Sequence, residues 1–315
     1  MKITDYIKNG KKFFSLEVSP PTKNKSITPL FKTIERFLPY KPAYISITYH
    51  PLKITQIKID TILTNYFQKK HCHPLGICAA IKYKYNIEVM PHFVCAGMTK
   101  VQVEEALLDF SFLEFENIFA LRGDPAIANE QFQPIDGGYY FANELVLQLK
   151  AMKQSLFLNL SEGFQPVDFC VGVAGYPEKH RDALDIEDDI KNLLRKVRSG
   201  ADFIITQMCF DADVLIQWVK KIRSYGIDVP VIPGIKPLTS INQLETLKYE
   251  YKINIPETLE KKLRSYSDKK SVYQYGIEHC IDLSMNLLNS GFSGIHYFTM
   301  GNGNDIEDVV KKITL

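Results

Sequence analysis

The sequence predicts an α/β fold, a single (β/α)8 barrel of the TIM type with 1–315 as one domain. Three observations point there. Eight short apolar runs alternate with stretches of helical period along the chain. Several of the runs are apolar over most of their length, as strands are in a parallel sheet covered on both faces. Gly200, Gly226 and Gly291 each follow a helical run, where a C-terminal stop belongs. Eight βα units close into a barrel more simply than they extend an open sheet, with a doubly wound sheet as the alternative.

The first run, FFSLEV at 13–18, sets Phe14, Leu16 and Val18 on one face and Phe13, Ser15 and Glu17 on the other. Pro20 and Pro21 then end the ladder, so Glu17 is the last side chain of its face. A helix is expected over 28–38 and a second strand, AYISITY, over 43–49. An insertion at 51–75, which a barrel does not need, precedes a helix at 76–86 and the third strand, VMPHFVC, at 89–95. The pattern continues with a helix at 100–113, NIFALRG at 117–123, a helix at 143–152 and a second unneeded insertion at 153–167. It closes with FCVGVAG at 169–175, a helix at 186–198, DFIITQM at 202–208, a helix at 212–224, VPVIPGI at 229–235, helices at 241–249 and 272–288, and IHYFTM at 295–300.

Composition narrows the function. Lys+Arg of 38 against Asp+Glu of 36 leaves no charge excess that would call for nucleic acid. The N-terminus has no apolar signal segment, and no run of eighteen apolar residues occurs, so a cytoplasmic protein without a membrane partner is expected. Six scattered cysteines suit reduced, buried thiols. His71-Cys72-His73 with Cys78 is the one cluster, and since no second pair at ligand spacing follows, no metal is expected.

Barrel chemistry sits beyond the C-terminal ends of the strands. In order, those ends offer Glu17; Thr48, Tyr49 and His50; His92; Arg122-Gly123-Asp124; Tyr176, Glu178 and His180; Gln207; Lys236; and Thr299 with a Gly301-Asn302-Gly303 turn. Each has a plain structural reading. Glu17 is either a structural carboxylate or, with few cations near it in sequence, an acid of raised pKa. His92 is a core histidine or a site residue. Arg122 and Asp124 pair with each other or face a ligand. Gln207 needs partners at both ends of its amide.

Taken in order, FFSLEVSPP, ISITYHP, MPHFVC, IFALRGDP, VAGYPEKH, NLLRKVRSGADFIITQMCFD, VIPGIKPL and HYFTM resemble the 5,10-methylenetetrahydrofolate reductase family, in its bacterial-type form limited to the catalytic barrel. LRGDP followed by AGYPE-x-H and GADFIITQ-x-x-F is the specific part. The resemblance implies an FAD-binding barrel that reduces 5,10-methylenetetrahydrofolate to 5-methyltetrahydrofolate with NADH or NADPH in two half-reactions, feeding methyl groups to methionine synthesis. It implies that Glu17, in E-x-x-P-P, is the general acid that opens the imidazolidine ring to an N5-iminium cation, and that Asp124 meets both flavin and pterin. Gln207 and Gln243 are implied folate contacts. Thr48, Tyr49, His92, Arg122, Gly123, Asp124, Tyr140, Ala174, His180, Asp189, Asn192, Arg195 and Lys196 are the implied FAD contacts. Arg195 and Lys196 are expected near the start of their helix, as a positive patch for pyrophosphate, or else on a solvated face.

The chain departs from the family at Ser19, where an aromatic is common, and at Phe141, where a tyrosine is common beside Tyr139 and Tyr140. It also has Met300-Gly301-Asn302-Gly303 in place of an Asn-Arg pair. The C-terminal region that binds S-adenosylmethionine in animal members does not follow, so inhibition by that ligand is not expected. A homo-oligomer is implied by the family. The alternatives are another FAD barrel of the proline dehydrogenase kind and a flavin- or folate-binding subunit whose chemistry has decayed.

Overall fold

The computed structural model describes residues 1–59, 62–127, 131–158, 165–301 and 303–313. Its elements run, in order, α1 (Ile3–Lys8), β1 (Phe13–Val18), α2 (Thr28–Phe37), β2 (Tyr44–Ile47), β3 (Lys53–Ile59), β4 (Ile62–Gln68), α3 (Pro74–Tyr85), β5 (Glu88–Val94), α4 (Lys100–Phe112), β6 (Asn117–Leu121) and α5 (Ala142–Lys153). They continue with β7 (Cys170–Gly175), α6 (Ile186–Arg198), β8 (Phe203–Met208), α7 (Ala212–Ser224), β9 (Val231–Ile235), α8 (Ile241–Glu245), α9 (Glu257–Arg264), α10 (Lys269–Asn289), β10 (Gly294–Phe298) and α11 (Asn304–Val310).

Eight of these strands form a closed, all-parallel barrel in the order β1-β10-β9-β8-β7-β6-β5-β2. The seam joins the first barrel strand to the last, with Phe13 opposite Gly294 and Glu17 opposite Phe298. The fold class is therefore the one the sequence predicts. Alternation along each strand divides the core in two. Phe13, Tyr44, Met90, Phe119, Phe203 and Ile232 fill the barrel interior, joined by Ile3 of α1. Leu16, Ile45, Val89, Ile118 and Val173 instead pack outward under the helices. Helix α1 closes the N-terminal pole, where the Ile3 amide donates to Asn117 Oδ1 at 2.8 Å and Lys2 pairs with Asp168 at 2.6 Å. The three helix-stopping glycines all adopt positive φ, +116° at Gly200, +78° at Gly226 and +101° at Gly291, which a side chain would resist.

The differences from expectation lie outside the repeat. The second strand stops at Ile47 and β6 at Leu121, so Thr48, Tyr49, Arg122 and Gly123 are loop residues at the mouth. The 51–75 insertion forms an antiparallel hairpin, Lys53 opposite Gln68, which stands apart from the barrel sheet. Part of the 153–167 insertion, at 159–164, falls outside the described residues, as does Asn302. Helix 241–249 is shorter than expected, because after Glu245 the backbone widens into a π segment over Thr246–Glu250. Helices α1, α9 and α11 were not expected, being short or strongly polar. Among the described residues no helix is long and apolar enough to cross a membrane.

Candidate active site

The acid comes first, because the sequence singled it out. Glu17 is the mouth-end interior residue of β1, and its side chain is 16% exposed. Its Oε2 lies 3.3 Å from Nε2 of His92, on β5, and 4.0 Å from Nε2 of His296, on β10. Neither is an aligned hydrogen bond. Burial pushes the Glu17 carboxyl up, but His296, His92 and His50 together outweigh it and hold its pKa below the usual value. The raised pKa expected from sequence is thus corrected for this structure. The imidazoles that counter burial come from β5, β10 and the loop after β2, far away in sequence. His92, by contrast, is driven down to about 4 by burial, against the pull of Glu17, so it is neutral near neutral pH.

Beside this acid, Thr48 Oγ1 hydrogen-bonds Ser19 Oγ at 3.3 Å and His50 Nε2 at 3.1 Å. Ser19 thus contributes a hydroxyl to the rim beside Glu17. His50 stacks on His71 with ring centres 4.1 Å apart, and Tyr49 meets His73 edge-on at 5.2 Å. Cys78, on α3, is fully buried, and among the described residues no cluster of His, Cys, Asp or Glu is arranged to hold a metal.

The opposite arc is cationic. Arg122 and Asp124 do not pair with each other. Arg122 donates to Asp182 at 2.8 Å and lies over the Phe132 ring at 4.6 Å, while the largely exposed Asp124 accepts from Arg181 at 2.9 Å. Gly123 between them has φ of +96°, and a Cβ there would stand 2.4 Å from the Val94 side chain, so only glycine lets this loop lie on β5. From α6, Lys196 donates to the Ala174 carbonyl at 2.6 Å and lies over the Tyr176 ring. Burial lowers its ammonium to about 8 despite Asp189, and Arg122 adds to the push. Asp189, also buried, is raised to about 6. Asn192 accepts from Arg195 at 2.7 Å, and His180 closes on Tyr176 with ring centres at 4.6 Å.

Arg195 and Lys196 are in the last turn of α6, not near its start. The long Lys196 chain reaches the mouth because helical side chains lean toward the N-terminus. Their charge therefore acts from the side chains and owes nothing to a helix N-terminal dipole. Tyr140 is exposed and its amide is tied to Glu144, whereas Tyr139 is buried against Gln148. Gln207, on β8, turns its carbonyl back to the Met208 amide at 2.9 Å. Gln243, on α8, uses its carbonyl to hold the Thr239 amide and hydroxyl, both at 2.9 Å.

Lys236 is withdrawn from the ring. It is 2% exposed and bonds Asp305 of α11 at 3.1 Å and the Thr299 carbonyl at 3.3 Å. Residues that sequence reasoning missed are Ser15, His296, Arg181 and Asp182. His296 carried a signal, since it stands on the interior face of the last strand opposite Ser15.

A closed parallel barrel with a histidine-flanked acid on one arc of its mouth and a cation-rich cleft on another defines a (β/α)8-barrel protein of the mouth-sited kind. The chain belongs to the methylenetetrahydrofolate reductase family, which it matches over residues 2–314. Methylenetetrahydrofolate reductase 1 of Schizosaccharomyces pombe is 27% identical over 321 residues, covering 100% of this chain and 49% of that protein. Methylenetetrahydrofolate reductase (NADH) 1 of Zea mays is 28% identical over 309 residues, covering 95% and 48%. A probable NADPH-named reductase of Caenorhabditis elegans is 26% identical, covering 100% and 44%. The chain spans about half the length of these curated relatives. Among solved structures, an uncharacterised Clostridium thermocellum protein described as binding two copies of 5-methyl-5,6,7,8-tetrahydrofolic acid has TM-score 0.61 at 14% identity. It covers 98% of this chain and 95% of its own, a likeness of fold.

Proposed function

We propose that residues 1–315 form one FAD-binding catalytic barrel that reduces 5,10-methylenetetrahydrofolate to 5-methyltetrahydrofolate, with NADH or NADPH as reductant. The observation that carries this reading is Glu17, a half-buried carboxylate at the mouth with histidines on both flanks, in a chain of this family. The folate bound by the Clostridium protein and the NADH- and NADPH-named relatives agree with it, without choosing between the two reductants.

The cationic arc fits the anionic cofactor. Lys196 is forced partly toward neutrality by burial and by Arg122, a strain that a phosphate would relieve. Lys196, Arg195 and Asn192 would hold the pyrophosphate and ribose side, and Ala174, His180 and Asp189 would line that cleft. Thr48, Tyr49, His92, Arg122, Gly123, Asp124 and Tyr140 would border the ring system. FAD, when bound, would carry a hydride from the reduced nicotinamide to the folate.

The chain's own residues do the rest. Glu17 gives a proton to the N10 nitrogen, the C–N10 bond breaks, and the bridging carbon is left as an N5-iminium that accepts the hydride. Asp124 is free to turn toward the pterin, its present partner being an exposed arginine. The amide nitrogens of Gln207 and Gln243 would donate to the folate. Cytoplasmic location and a homo-oligomer are further parts of this proposal.

The test is anaerobic. Purified yellow protein reduced by NADH should be reoxidised by methylenetetrahydrofolate, and Glu17→Gln should keep FAD and its reduction while reoxidation falls by at least about 100-fold. Normal reoxidation in that variant would remove Glu17 from the reaction, and a colourless protein under excess FAD would remove the flavin.

A further inference from the structure

Glu17 stands as a carboxylate in this structure, yet the reaction proposed above asks it for a proton. The layer beneath it holds a candidate source. His296 is 1% exposed, and its Nδ1 lies 2.8 Å from Ser15 Oγ. Its Nε2 faces Glu17 Oε2 across 4.0 Å. Tyr44 stacks on the imidazole at 6.0 Å and 17°, and Phe298 meets it edge-on at 5.3 Å, so the ring is fixed on both sides. The titratable groups facing the pair are His92 from β5, His50 from the loop after β2, and Tyr44 from β2. His92 is nearer, but it is neutral above about 4, and among the described residues no hydrogen bond fixes its other nitrogen.

We propose that Ser15 and His296 form a positioning pair that stores one dissociable proton at His296 Nε2 and passes it to Glu17 Oε2 when ligand covers the mouth. This deepens the reading above and rests on it. Ser15 Oγ accepts from Nδ1–H before and after the transfer, so only Nε2 exchanges. The Nε2–H bond breaks and an Oε2–H bond forms, turning an imidazolium and a carboxylate into two neutral groups. A turn of the Glu17 side chain closes the 4.0 Å gap to hydrogen-bonding distance. Excluding water favours the neutral pair, because a charge pair without solvent is costly to keep. Glu17 then gives the same proton to the folate nitrogen. Solvent restores it to the pair once the mouth reopens.

Nuclear magnetic resonance of protein labelled with 15N at its seven histidines tests this without turnover. His296, assigned by loss of its signal in His296→Asn, should hold a proton at Nδ1 throughout and titrate at Nε2. In Glu17→Gln it should lose its proton at lower pH, because its anionic partner is gone. A bare Nδ1 in the wild type, or an unmoved titration in Glu17→Gln, overturns the proposal. Kinetically, Ser15→Ala should lower the ratio of folate-driven reoxidation to NADH-driven reduction at least tenfold and shift the pH profile of reoxidation. A merely structural residue would change both half-reactions together. If the wild-type flavin is not reoxidised by the folate, the functional reading fails while the histidine titration still decides the pair.

Discussion

Residues at the mouth are perturbed in opposite directions, and each direction predicts a measurement. Lys196 titrates at about 8 in this structure, so an anion that restores its charge must bring a proton with it. Calorimetry of FAD binding in buffers of differing ionisation enthalpy should show net proton uptake at about pH 8–10, fading below pH 7, where Lys196 is already charged. Lys196→Met should abolish that uptake and weaken FAD binding about 10- to 100-fold. His92 behaves differently. It is buried neutral with a pKa of about 4, below its unfolded value, so unfolding takes up a proton and stability drops as pH falls from about 6.5 toward 4. His92→Gln should flatten that acid limb in urea melts by roughly 2–3 kcal/mol, and an unchanged limb would place the acid sensitivity elsewhere. Glu17 adds the usual carboxylate behaviour, since its depressed pKa gives stability that is present above the unfolded value and lost at lower pH.

At the level of elements, α11 is fastened to the barrel by one buried ion pair. Asp305→Ala would leave the Lys236 ammonium without its charge partner in a site 2% exposed, at a cost of about 3–5 kcal/mol in urea unfolding. Lys236→Met with Asp305→Leu should recover most of that loss. The β3–β4 hairpin predicts the reverse. Beyond its base, and among the described residues, the hairpin is tied to the barrel loops where the Ile54 amide donates to the Ala126 carbonyl and Ile54 bridges Ile127. Replacing 53–68 with a short Gly-Ser turn should therefore move the melting temperature by no more than about 3 °C. These two elements also show what could be read from sequence. Alternation and glycine stops gave the eight strands and most helices, because those signals are local. Lys236 read as a mouth residue because its partner lies 69 positions later, and the Glu17 pKa was misjudged because its three histidines arrive from two other strands and a loop. The arginines Arg122 and Arg181 likewise find their carboxylates across loops, which no spacing rule encodes.

For the molecule as a whole, the closed sheet makes its first and last strands neighbours. Strand β1 is flanked by β2 on one side and by β10, near residue 300, on the other. Glu17 and His296 face each other across that seam, so the proposed acid and its proton store meet only when the cylinder shuts. During synthesis, the first strand thus leaves the ribosome with one edge unsatisfied and keeps it so until the last strand is made. A nascent chain stalled before β10 should present that edge to chaperones and to other unfinished copies, and it should remain sensitive to protease until β10 is made.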